Sequence, residues 1–115
     1  MTELRNYTPH SITVYDAHLN VINTFPSVGS IRLTEDKPEI IDYIDNIPIH
    51  KPYKYSGLES LSGLNNIIVS AMVGEEISKD TSGVYFNVFS PDMGRDCVRN
   101  ESGQIIGTKS FIRWC

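Results

Sequence analysis

Polar and apolar residues alternate along Ser11-Ile12-Thr13-Val14-Tyr15, and the β-branched content predicts a half-buried strand there. Asp16-Ala17-His18-Leu19-Asn20 reads as a turn and Val21-Ile22-Asn23-Thr24-Phe25 as the returning strand of a hairpin. After Pro26-Ser27-Val28-Gly29, alternation over Ser30-Ile31-Arg32-Leu33-Thr34 predicts a third strand. Ile40-Ile41-Asp42-Tyr43-Ile44 predicts a fourth, closed by the Asp45-Asn46 turn. The segment from Ile47 to Tyr55 also alternates, but Pro48 and Pro52 confine it to a sheet edge or an extended arm. Glycines, serines and asparagines make Ser56 to Asn66 a loop. The consecutive apolar residues of Asn66 to Ser70 then suit a central strand.

The period changes from Ala71 to Lys79, where Val73 and Ile77 stand one helical turn apart; this is the one expected helix. Asp80-Thr81-Ser82-Gly83 ends it, and Val84 to Phe89 is a strand by aromatic and β-branched content. A loop at Ser90 to Gly94 follows. Cys97-Val98-Arg99 is expected to pair with Gln104 to Ile106 across Asn100-Glu101-Ser102-Gly103, and Lys109 to Trp114 alternates to the end. The pattern predicts an α+β fold, mostly antiparallel β-sheet with one short helix after a central strand. A single compact domain over residues 1–115 is expected.

Composition narrows the class of protein. With 115 residues, 40% hydrophobic and 21% charged, the chain has the make-up of an ordinary globular domain. Its longest apolar run falls well short of the ~20 residues a membrane helix needs, and Met1 to Tyr7 lacks the basic-then-apolar order of a signal peptide. A cytoplasmic protein with no membrane partner is expected. The formal net charge of −4 argues against broad nucleic-acid binding, which rests on many phosphate contacts. The charge is unevenly placed, however. Glu35, Asp36, Glu39, Asp42 and Asp45 crowd one segment, whereas Arg95, Arg99, Lys109 and Arg113 make the C-terminal part locally basic. Cys97 and Cys115 have neither disulfide-framework nor zinc spacing, so no metal and no cofactor are expected.

The candidate chemistry is that of binding. No catalytic constellation is complete: Ser70 follows a strand and precedes the helix but lacks the glycines of a nucleophile elbow, and its hydroxyl suits a helix cap. The same position brings free helix N–H groups to an anion. His10 in Thr8-Pro9-His10 is read as either a proton-transfer group or a strand-entry device tied to a neighbouring carbonyl. Cys97, near Arg95 and Arg99, reads foremost as a half-buried strand thiol. Ser27 and Gly29 form a small turn that suits one phosphate, although the lysine and helix of a phosphate loop are missing. Arg32, Arg95 and Arg99 offer planar forks for phosphate, and the aromatics offer stacking faces.

Four motifs, in order, carry a family resemblance. They are Thr8-Pro9-His10 with Ile12-Thr13-Val14-Tyr15-Asp16; Phe25-Pro26-Ser27 with Gly29 and Arg32; Ile67 to Val73; and Ser90-Pro91 followed by Val98-Arg99-Asn100-Glu101, Gly103-Gln104-Ile105-Ile106-Gly107. Together they resemble a family of small proteins encoded by bacteriophages, prophages and bacteria, usually called hypothetical. The chain departs from that pattern in having one proline before Ser27 and asparagine, not aspartate, at position 100. The phage setting implied by the resemblance favours a small oligomeric protein that sequesters a nucleotide immune signal such as cyclic or modified ADP-ribose. The residues themselves predict a homodimer, since the edge from Ile47 to Tyr55 and the apolar strand ending in Phe111-Ile112-Arg113-Trp114 could both pair across a two-fold axis. Its ligand-binding set is expected to be Thr8, His10, Ser27, Gly29, Arg32, Ser70, Arg95 and Arg99, with no catalytic residue. The alternatives are a nucleotide-processing hydrolase using His10 with Ser70 or Cys97, and a module that inhibits a host protein through a sheet edge.

Overall fold

A computed structural model describes residues 3–57, 61, 63, 65–80 and 83–115. Positions 58–60, 62 and 64 of the expected loop, and Thr81 and Ser82 of the expected helix stop, lie outside the described residues. The described chain is β-rich with one short helix. Its strands are β1 (Arg5–Asn6), β2 (Ile12–Tyr15), β3 (Val21–Phe25), β4 (Thr34–Asp36), β5 (Ile40–Ile44), β6 (Ile47–His50), β7 (Lys54–Ser56), β8 (Asn65–Ile68), β9 (Phe86–Pro91), β10 (Cys97–Arg99), β11 (Ile105–Thr108) and β12 (Phe111–Arg113). The helix α1 spans Ala71–Lys79, the range its sequence period predicts.

Two four-stranded sheets form the body, in the orders β1-β8-β9-β12 and β10-β11-β2-β3. Most strand pairs are antiparallel, as expected, but three are parallel. β1 and β9 both run parallel to β8, and β11 runs parallel to β2. Parallel neighbours need a crossover of a dozen or more residues, and α1 supplies it between β8 and β9. The remaining pairs are antiparallel, including β4 with β7 and β5 with β6. β8 is an interior strand, so the helix does follow a central strand.

The core lies between the first sheet and α1. Ile67, Val69 and Val88 meet Val73 and Ile77 of the helix, while Leu33 and Leu61 close the edges. Ile31 and Leu33 explain why residues 30–33 are not the expected strand. Both turn into this core, and the Ile31 N–H is held by the Tyr7 carbonyl at 3.0 Å instead of by a ladder. On the opposite face, the Phe25 ring of β3 meets Phe111 edge-on, and Phe111 meets Phe89, linking the two sheets. β9 also runs further than expected, through Ser90-Pro91, because β12 pairs with its end.

Two local features fall outside any period. Asn66 and Asn87 both have φ near +55° (55° and 56°) at facing positions of β8 and β9, and their side chains are bonded at 2.7 Å. Asparagine tolerates that left-handed region better than most residues, so the two strands kink together. Gly107 sits where a Cβ would lie 2.3 Å from the Thr13 carbonyl oxygen, so β11 approaches β2 only with hydrogen at that position.

In the β2–β3 loop, Asp16 accepts the N–H groups of His18 and Asn20 at 2.8 and 2.9 Å. The Asn20 backbone bond is the main cause that holds the Asp16 carboxyl below its ordinary 3.8. Its contribution to stability is therefore complete above the unfolded value and is lost as pH falls through the lower folded value. Asp16→Ala should lower the melting temperature at pH 7, and the gap to the parent should shrink below pH 4. Thermal melts over pH 2–7 check this; a gap that widened in acid would contradict it.

Candidate functional site

The site is built on the corner between β1 and β2. Asn6 is 1% exposed, and its carboxamide satisfies four groups. Its Oδ1 accepts the Thr8 N–H at 2.9 Å and the Thr8 hydroxyl at 2.6 Å. Its Nδ2 donates to the carbonyls of His10 (2.8 Å) and Phe25 (2.9 Å). This Asx turn fixes Thr8-Pro9-His10 as a rigid bend over the end of β3. The strand-entry reading of the triplet holds, with one change. The neighbouring carbonyl is that of His10 itself, and Asn6 and the Thr8 hydroxyl approach it; the imidazole stays exposed.

Ser27 and Gly29 serve the same bend. The Ser27 hydroxyl lies 2.6 Å from the Thr8 carbonyl, and the Val28 N–H donates to the Asn6 carbonyl at 2.9 Å. The Ser27 hydroxyl and the Val28 N–H are thus engaged within the bend, Ser27 and Gly29 themselves are exposed, and Thr8 is buried.

The bend is bordered by three concavities. The first, about 520 Å³ and mostly apolar, is lined by Thr8, Ser70, Ala71, Pro91, Met93 and Ile112, among others. The second, about 270 Å³, shares Thr8 and Ser70 and adds Tyr7, Ser30, Arg32 and Met72. The third, also about 270 Å³, lies beyond the bend between His10, Met93, Ile105 and Ile106. Ser70 caps α1 as its sequence position predicts, its oxygen 3.4 Å from the Val73 N–H. The Gly74 N–H is taken by the Ser70 carbonyl. The N–H groups of Ala71 and Met72, first in the helix, have no acceptor within it and stand beside the shared wall of the two clefts.

Of the eight expected binding residues, Thr8 and Ser70 form the wall shared by the first two clefts, Arg32 borders the second, and His10 borders the third. Arg95 and Arg99 lie elsewhere. Arg95 is exposed in the turn before β10. The Arg99 guanidinium donates to the Gly103 carbonyl at 2.7 Å across the β10–β11 turn. That turn is organised by Asn100, whose Oδ1 accepts the N–H groups of Ser102 and Gln104 at 3.0 Å each. An amide oxygen fills this role as well as a carboxylate would.

The three candidates for chemistry lie in different places: His10 borders the third groove, Ser70 the first two clefts, and Cys97 none of the three. Among the described residues no hydrogen bond joins the His10 ring to Ser70 or Cys97, and Cys97 and Cys115 are free thiols. Burial raises the Cys115 thiol pKa, with Arg113 opposing. Among the described residues no three His, Cys, Asp or Glu side chains gather as a metal site, and no helix is long and apolar enough to cross a membrane. Sequence reasoning missed Asn6 and Thr108. Thr108 is fully buried and donates its hydroxyl towards the Asp92 carbonyl at 2.7 Å, tying β11 to the loop after β9. Asparagine two residues before Thr-Pro is itself an Asx-turn signal; Thr108 had no local one. Comparison with known proteins finds no matching family model, curated protein or solved structure.

Proposed function

We propose that this protein binds a phosphate-bearing nucleotide without consuming it, as a phage-type sequestering protein for immune signals of the cyclic or modified ADP-ribose class. It would act in the cytoplasm of a bacterial host. The observation that carries the reading is the pair of clefts on either side of the wall formed by Thr8 and Ser70. One arm is apolar and sized for a base or ribose, within the range of small-molecule sites. The other brings Arg32 and the opening of α1 to the same wall. A guanidinium fork and helix N–H groups are the donors a pyrophosphate requires. A non-catalytic role is supported by the separation of His10 from Ser70 and Cys97 into different surroundings.

Sub-micromolar retention needs more than ~8 kcal/mol. Two charge-assisted contacts at about 1.5–3 kcal/mol each leave a remainder for the apolar arm to supply. The test is to incubate the protein with cyclic ADP-ribose isomers, remove the excess, heat it and identify what is released. Intact ligand is expected from the parent. Arg32→Ala should weaken binding about tenfold or more, with Arg32→Lys intermediate because lysine keeps charge but not the fork. Release of a hydrolysed product would make the protein an enzyme. No thermal shift with any nucleotide would remove the reading.

A further inference from the structure

The two clefts on either side of Thr8 and Ser70 differ in charge. The second is bordered by Arg32 and by no acidic side chain, which suits a phosphate. The first is bordered by Asp92 and by no basic side chain. Its other walls are apolar or small, with Ala71, Pro91, Met93 and Ile112 among them. A carboxylate repels a phosphate, so a nucleotide lying across the shared wall has one orientation. Its phosphates sit beside Arg32 and its base beside Asp92.

Asp92 is a positioned carboxylate. It follows Pro91, the last residue of β9, and is half-buried. Its N–H donates to the Ser110 carbonyl at 3.0 Å, and its own carbonyl lies 2.7 Å from the fully buried Thr108 hydroxyl. The side chain is held as well, because Oδ1 accepts the Gly94 N–H at 2.8 Å in an Asx turn. Oδ2 has no hydrogen-bond or ion-pair partner among the described residues.

An ionised carboxylate accepts hydrogen bonds and cannot donate them. With Oδ1 engaged by Gly94, Oδ2 requires a donor. Adenine presents one in its exocyclic amine. Hypoxanthine, its deaminated counterpart, carries a keto oxygen at that position and would set acceptor against acceptor. Met93 and Ile112, 44% and 37% exposed, offer polarisable and apolar contact to the faces of the ring.

We propose that Asp92 is the specificity-determining residue of the first cleft, which takes adenine by its exocyclic amine and rejects the 6-keto base. The inference rests on the nucleotide reading above and adds which end of the ligand enters which cleft and which base is accepted. The experiment is calorimetric titration of the full chain with ADP-ribose and with a cyclic ADP-ribose closed through a ribose hydroxyl. Each is run beside its 6-keto counterpart, and thermal melts serve as the folding control. The parent is expected to bind the amino forms about tenfold or more tightly, the effect of one hydrogen bond to a charged group.

Asp92→Asn is the diagnostic variant. The Gly94 N–H still demands an oxygen at the Oδ1 position, so the amide nitrogen takes the place of Oδ2 and becomes a donor. The preference should therefore reverse, with the keto forms bound more tightly. A residue that merely held the loop would weaken both forms alike, and that result would overturn the proposal. A parent with equal affinity for amino and keto forms, or a preference for keto, overturns the role of Asp92 and leaves the nucleotide reading in place. So does an Asp92→Asn protein that keeps the parent's preference. A parent that binds none of the four ligands removes both. If Asp92→Asn fails to fold, the parent's ratio of affinities decides by the same criterion.

Discussion

Asn6→Ala is expected to cost about 2–4 kcal/mol, at the upper end of single substitutions because it breaks a largely buried polar network. The substitution removes both acceptor and donors, leaving the Thr8 N–H and the carbonyls of His10 and Phe25 without the partners they have at 2.8–2.9 Å. Each buried backbone group left unpaired costs about 1–3 kcal/mol, reduced where water enters the vacated space. Against a total stability of about 5–15 kcal/mol for a domain of this size, the loss is a large share. Asn6→Asp should be comparably severe, because it turns an acceptor oxygen towards two carbonyls that need a donor. Urea unfolding of parent and variants measures the difference. A cost under 1 kcal/mol would show that the bend is held chiefly by the Ser27 and Val28 contacts. The same variants should lose ligand retention, because Thr8 forms the wall shared by the two clefts.

Gly74→Ala should destabilise the protein by about 1–3 kcal/mol, the cost of overpacking a filled core. Alanine is the better helix former by about 1 kcal/mol, so propensity alone predicts the opposite sign. Packing decides it. A Cβ on Gly74 would stand 2.3 Å from Cδ1 and 2.8 Å from Cγ of Trp114, near the root of the indole, where the side chain has little room to swing. Moving the ring also breaks its Nε1–H bond to the buried Ser90 hydroxyl, now 2.9 Å. The diagnostic is a double-mutant cycle with Trp114→Ala. In that background Gly74→Ala should become neutral or stabilising, giving a coupling of about 1–3 kcal/mol between the sites. Additive effects would mean that Gly74 and the Trp114 ring do not meet as described.

Local pattern was enough wherever an element satisfies itself. The helix Ala71–Lys79 with its Ser70 cap, the β2–β3 hairpin and the β10–β11 hairpin each follow from short-range period and turn chemistry. The Asp45-Asn46 turn likewise marks β5 and β6, although their union as a free-standing ribbon becomes visible only when nothing packs on it. The order strand, helix, strand around α1 already contained the parallel β8–β9 pair; a prior for antiparallel sheet hid it. For the site, residue type suggested Arg32 and Ser70 at one cleft, but it equally suggested Arg95 and Arg99, whose surroundings differ.

The sequence by itself determined those hairpins, the helix and its cap, because their hydrogen bonds close within a few residues and depend on side chains close at hand. Tertiary structure alone decided the rest. Asn6 before Thr8-Pro9 signals a local turn, but it is a keystone between strands only because the carbonyl of Phe25, nineteen residues away, needs its donor. Residues 30–33 alternate like a strand, yet the core offered Ile31 and Leu33 more burial than any ladder offered their backbone. Gly74 is ordinary until Trp114 arrives from forty residues away. In each case the deciding partner is distant along the chain, and no window of local sequence contains both halves of the interaction.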